Sequence, residues 1–270
     1  MFDFAISAWH AWAPGMEDLP AWETWARTPY CPTVAATPPT LGFLPPLQRR
    51  RLSPLARMAV ACAWPLADGR PAMPLVYASH HGETTRSFDL LQCLARDEAL
   101  SPTSFSLSVH NATAGLWSIL RKETVESVAL SAAGDGLESA IAEACLLLDA
   151  GHEEVLVILA EETPPAGYRP WIDDVPFSYA LALRIGKGDA FQLRLSTQAQ
   201  AGSDAGLCAQ AHVDKGTDRD DGSRAAGGPG DAHTSPCWPH PLNLLRHLIL
   251  GTPQWRHPGR AAYWQWRRAS

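Results

Sequence analysis

The chain has 270 residues, 46% of them hydrophobic and 19% charged, with a formal net charge of −6 at pH 7. That supplies enough apolar material for one substantial core, and the negative balance argues against nucleic acid or an anionic membrane surface as a partner. Six scattered cysteines (Cys31, Cys62, Cys93, Cys145, Cys208, Cys237) form no C-x-x-C pair and have no histidine at ligand spacing, so neither a disulfide framework nor a metal or cofactor is expected. No apolar run approaches the roughly 18 residues of a membrane-crossing helix. The start Met1-Phe-Asp-Phe-Ala lacks the basic residues of a secretory signal, and the expected location is cytoplasmic.

Residues 2–9 read as a strand, followed by a loop, a short helix around 21–26 and an irregular Pro-rich stretch over 28–48. Ser53 before Pro54 is a helix start, and 55–67 carries that helix. Residues 74–79 read as a short apolar strand, and 84–95 as an amphipathic helix capped by Thr84, with Phe88, Leu91 and Leu94 on one side. Residues 105–109 read as extended, Asn111 as the N-cap of a helix running to Arg121, and 125–131 as a buried strand. From Gly136, the residues Leu137, Ile141, Ala144 and Leu148 recur at helical spacing until Gly151 ends the helix. Residues 155–160 form an apolar strand covered on both faces. Residues 177–185 and 191–197 predict a hairpin around Gly186-Lys-Gly-Asp189. The alternation argues for an α/β layered domain over 1–198. Residues 199–236, rich in Ala, Gly, Asp and Ser, read as a disordered insert, and 237–270 as a helix and tail packing on the domain.

The stretch from Ser101 to Glu162 carries a more specific order: Pro102, Phe105, Asn111-Ala-Thr-Ala-Gly115, the strand 125–131, Gly134, the helix 137–150 ending at Gly151, and the strand 155–160. In this order the sequence resembles the N-terminal half of β-ketoacyl synthases, most closely the short ketosynthase-like proteins of bacterial aryl polyene and xanthomonadin-type pigment clusters. The resemblance covers residues 1–198 and implies an α/β, thiolase-like fold, N-terminal half only, with a layered mixed sheet. Laying out the pattern from Asn111 and, independently, backwards from Gly151 puts Gly134 under the family's nucleophilic cysteine. A slip of one gives Ala133 or Asp135, again neither Cys nor Ser. A condensing cysteine stands at a helix start because the partial positive charge and free N–H groups there lower its pKa and hold an oxyanion. It carries the acyl chain as a thioester, and glycine has no atom to acylate.

The family's catalytic histidines and lysine belong to its C-terminal half, and His240, His247 and His257 lack their His-Gly-Thr context. The resemblance therefore implies a pseudoenzyme similar to chain-length factors. Such a subunit forms a heterodimer with an active β-ketoacyl synthase in a type II polyketide or fatty-acid-like pathway and meets the acyl carrier protein only indirectly. The helix 111–120 and the strand before Gly134 would then face the partner, making Asn111, Thr113, Leu116, Trp117, Leu120, Ser131 and Gly134 the interface or tunnel candidates. Trp117 would act as a ruler, because a bulky ring at a tunnel end is hard to displace, or would be ordinary core.

Other patterns compete with this reading. His80-His81-Gly-Glu83 suggests either a metal or phosphate site or a plain strand-to-helix loop, and Arg49-Arg50-Arg51 either docks an acidic carrier or is a solvated edge. Gly134-Asp-Gly136 lacks the third glycine of a dinucleotide fingerprint. Two alternatives stay open: an enzyme acting on acyl-carrier thioesters through a non-cysteine site near His80, Ser131 or Asp135, and a homodimeric scaffold. In any of these, half a thiolase fold leaves an apolar face that the tail and a partner must cover.

Overall fold

The computed structural model describes residues 1–196, 238–259 and 262–269. The expected insert 199–236 lies outside the described residues, and Met1–Ala199 with Pro239–Ser270 form one compact unit.

One long strand organises the sheet. β1 (Phe2–Trp12) runs antiparallel along one edge of β5 (Tyr179–Ser196). On the other edge, β5 pairs first with β4 (Glu154–Glu161) and then, from Phe191 to Ser196, with β7 (Tyr263–Arg268). Beyond β4 lie β2 (Leu75–Ala78) and β3 (Ser127–Leu130), parallel to it, and beyond β7 lies β6 (Gln254–Pro258). Among the described residues the sheet has seven strands, in the order β3-β2-β4-β5-β7-β6 with β1 on β5.

The helices α1 (Leu19–Arg27), α2 (Pro46–Arg49), α3 (Pro54–Ala67), α4 (Thr84–Ala95), α5 (Pro102–Ser106), α6 (Ala112–Arg121), α7 (Gly136–Asp149) and α8 (His240–Leu250) fill the connections. Ser53 starts α3 as its residue type predicts, with its hydroxyl accepting from the Ala56 N–H at 3.0 Å and Pro54 at the first position. α3 and α6 join Leu75, Tyr77, Leu156, Ile158, Ala180 and Ala182 in one core layer. The alternate residues Val76, Val155, Val157, Leu181 and Leu183 are also buried, and α7 packs against these strands. β4 is thus covered on both faces, as its unbroken apolar run implies.

Four expectations change. The predicted hairpin is one continuous strand, because β1 pairs across the glycine-rich segment: Phe4 faces Phe191 and Ala5 faces Gly186, so 187–190 bulge out of the ladder. Gly188 lies against Ala5, where a Cβ would come within 3.1 Å of the alanine methyl. Residues 105–109 are not extended, since Ser101 and Pro102 repeat the signature of Ser53 and Pro54 and start α5, with Ser101 Oγ accepting from Ser104 N–H. The strand before Gly134 is half-exposed, because β3 is the sheet's edge and pairs only with β2. Thr84 does not cap α4 through an accepted bond; its hydroxyl instead donates back to the His81 carbonyl at 2.5 Å, and Glu83 holds the cap position.

The tail is fixed by one buried carboxylate. Glu138, in the first turn of α7, is 0% exposed. It accepts from His240 Nδ1 at 2.8 Å, from His257 Nδ1 at 2.5 Å and from Trp266 Nε1 at 3.1 Å. Burial alone would raise its pKa, but the two histidines hold the carboxyl well below the usual carboxylate range. Burial lowers His257 against the pull of Glu138, and burial beside His257 and Arg246 pushes His247 down to about 4. All three groups bind fewer protons folded than unfolded, so their contribution is complete above the unfolded values and is lost as pH falls. Urea midpoints are therefore expected to drop as pH moves from 6.5 through 4 and further below, as far as the histidine shifts and the Glu138 shift reach. Glu138→Ala, which leaves three buried N–H groups without an acceptor, is expected to cost ~3–5 kcal/mol in the same assay at neutral pH. A midpoint flat with pH would contradict the role given to this group.

Candidate functional site

The carboxyl ends of the parallel strands β3, β2 and β4 bring together three loops, the location where open parallel sheets place their ligands. After β3 come Ser131 to Asp135, leading into α7. Gly134 stands two residues before that helix with φ +79, and a Cβ built there meets no heavy atom within 4 Å. The left-handed backbone suits glycine, and the space beside it is open. Asp135 occupies the helix cap position without a side-chain cap bond, and Gly259, after β6, approaches its carboxylate so closely that a Cβ there would lie 3.3 Å from both oxygens. The tail therefore reaches the start of α7 at two levels, Asp135 and Glu138.

After β2 come Ser79 to Glu83. Glu161, closing β4 and buried, accepts the main-chain N–H of His80, the N–H of His81 at 3.3 Å and the Ser79 hydroxyl at 3.1 Å. Burial raises its pKa against these donors. His80 Nδ1 lies 2.6 Å from Asp174 Oδ2, and His81 Nε2 lies 2.7 Å from Asp174 Oδ1. Burial alone would raise Asp174, but its bonds to His81 and His80 hold it at about 2. Ser131 Oγ donates to the His80 carbonyl at 3.0 Å, so its proton is directed at a group that cannot act as a base, which weakens Ser131 as a substitute nucleophile.

A cleft of about 400 Å³ is lined by Ser53, Glu83, Arg86, Asp89, Ser101 and Glu162 among others. Burial beside Glu83 pushes Glu162 up to about 7. Gly134, Ser131, His80 and His81 are not among its lining residues.

The sequence candidates separate into two sets. Thr113, Leu116, Trp117 and Leu120 are buried in the chain's own core. Trp117 meets Trp64 edge-on at 6.0 Å between centroids, with the Arg121 guanidinium over both rings at 5.2 Å and 5.8 Å. The Trp117 side is the helix's apolar stripe and packs inward. The exposed stripe is Asn111, Gly115 and Ile119. Asn111, Ser131 and Gly134 remain at or near the surface. His240 and His257 are engaged by Glu138. Of the residues missed in the sequence, Glu138 had a signal, an acid three residues before Ile141 on an apolar face, and so had Glu161, a charge closing a buried strand. Asp174 sits in a loop and had none.

The model of the β-ketoacyl synthase N-terminal domain matches residues 22–267. The chain belongs to that family. The match runs past the 1–198 of the sequence resemblance and takes in α8, β6 and β7, which complete the sheet beyond β5. A chain of the complex between the ketosynthase ApeO and its chain length factor ApeC from Xenorhabdus doucetiae is 28% identical, with TM-score 0.77, covering 99% of this chain and 100% of that one. The ishigamide ketosynthase/chain length factor gives TM-score 0.56 at 15% identity over 72% of this chain and 68% of that one. A β-ketoacyl synthase from Burkholderia phymatum STM815 gives 0.53 at 15% identity over 72% and 65%. The last two establish the fold alone, which is thiolase-like. No curated protein matches the sequence.

Gly134→Ala is expected to cost about 1–2 kcal/mol in urea unfolding, entirely from backbone conformation, since the space for the methyl is open. Trp117→Ala is expected to cost ~3–5 kcal/mol, as for any large buried aromatic. Near-neutral values at both positions would refute these packing assignments.

Proposed function

We propose that the chain is a non-condensing, chain-length-factor-like subunit that pairs with an active β-ketoacyl synthase in the cytoplasm, within a type II polyketide or fatty-acid-like pathway of the aryl polyene type. The observation that carries the reading is Gly134: at the position the family resemblance assigns to the nucleophile, the helix start is kept and the side chain is missing. Covalent acyl transfer needs an atom that glycine lacks. Among the described residues none of the free thiols Cys31, Cys62, Cys93 and Cys145 stands at the start of α7, Cys145 lying in its third turn.

Two surfaces support pairing. β3 is an edge strand, with one row of main-chain groups open to a further strand. α4 and α5 bury none of their residues and expose Leu91, Leu94 and Phe105, the last at 64%, while α6 shows Ile119 at 59%. On the packed pair α4 and α5, such exposed apolar side chains are what a partner would cover. Helix α6 joins β3 and the Gly134 loop in this reading, with Gly115 allowing close approach of a partner's backbone.

Co-expression with an active β-ketoacyl synthase of the same source is expected to give a stable complex, and the chain alone is expected to self-associate. The double variant Gly115→Glu, Ile119→Glu is expected to keep its circular dichroism and lose co-purification by at least about 10-fold, since burying an unpaired charge at an interface costs more than 1.4 kcal/mol. A well-behaved monomer that ignores the ketosynthase would overturn the proposal, and so would condensing activity in the isolated chain.

A further inference from the structure

We infer that His80, His81 and Asp174 form a binding site for one divalent transition-metal ion of the Zn²⁺ class. Their ligating atoms all lie within 4.8 Å of one another. The two consecutive histidines offer different nitrogens, His80 its Nδ1 and His81 its Nε2, to the two oxygens of the same carboxylate at 2.6 and 2.7 Å. Their rings stand 4.0 Å apart, tilted by 44°. Two imidazoles so placed cannot both be charged without repelling one another. A single cation between them and Asp174 satisfies all three groups at once.

The donor set is selective. Two imidazole nitrogens and one carboxylate suit Zn²⁺ and its first-row neighbours, whereas Mg²⁺ and Ca²⁺ require oxygen ligands. Bonds of about 2.0–2.1 Å in a tetrahedron place ligand atoms roughly 3.3 Å apart, so each N···O pair must open by about 0.6–0.7 Å. Side chains 34%, 15% and 42% exposed can do so. Three protein ligands leave the fourth position to water or to an oxygen or sulfur of a bound molecule, the arrangement of an open site.

The surroundings hold the histidines in place. Glu161 binds both of their main-chain amides, the Ser131 hydroxyl holds the His80 carbonyl, and the Thr84 hydroxyl holds the His81 carbonyl. Such outer contacts orient metal ligands. The other histidine-carboxylate group, Glu138 with His240 and His257, lacks this opening: it is fully buried, and its carboxylate takes a third N–H from Trp266.

The test uses the full chain purified without a histidine tag, treated with a chelator, then titrated calorimetrically with Zn²⁺ and followed by visible absorption with Co²⁺. One ion per chain is expected, with a tetrahedral Co²⁺ spectrum. His81→Ala and Asp174→Asn are expected to abolish binding while leaving circular dichroism unchanged, since both side chains are partly exposed. Ser131→Ala, which releases only the His80 carbonyl, is expected to weaken it roughly 10-fold. Failure of the parent chain to bind Zn²⁺ overturns the inference. Uptake undiminished in both ligand variants also overturns it, because the ion would then sit elsewhere.

Discussion

A carboxylate with no access to water must be met by donors, and in this protein all of Glu138's donors named above come from far along the chain. His240, His257 and Trp266 lie 102, 119 and 128 residues away in sequence. Each comes from a different element: α8, β6 and β7. Satisfying one buried charge therefore returns the tail to the start of α7 and orders three elements together. β5 makes that return possible. It is long enough to pair with β4 along its first half and still offer a free edge to β7 along its second.

The same arrangement sets what the surface can do. With the tail strands β7 and β6 forming one end of the sheet, β3 forms the other, with an unpaired main-chain edge beside the Gly134 loop and α6. At the start of α7 a glycine with open space beside it therefore stands close to an unpaired strand edge. The His80, His81 and Asp174 cluster stands on the same carboxyl edge of the parallel strands, tied to β3 through the Ser131 to His80 hydrogen bond. Whatever meets the β3 edge is met close to those three side chains.

Local and long-range interactions leave different traces in this chain. The helices starting at Ser53-Pro54 and at Gly136 and the apolar strand 155–160 are all written in local pattern, and each is found in place. The errors lie where local pattern has two solutions. Gly186-Lys-Gly-Asp189 permits a turn or a bulge, and β1, 180 or so residues earlier, selects the bulge by pairing across it. At Trp117 the pattern leaves a tunnel wall and a core both open, and the ring is buried against Trp64 and Arg121.

The order of elements, the family pattern and the absence of an acylatable atom at Gly134 follow from residue types and spacings, which act over a few residues through propensity, capping and periodicity. The partners of His240, His257 and Glu138, the convergence of His80 and His81 on Asp174, and the inward turn of the Trp117 face could not be read that way. They depend on which distant groups share a volume from which water is excluded, where an unmet charge or donor is too costly to leave, and that is settled only when the sheet and its helices close on one another.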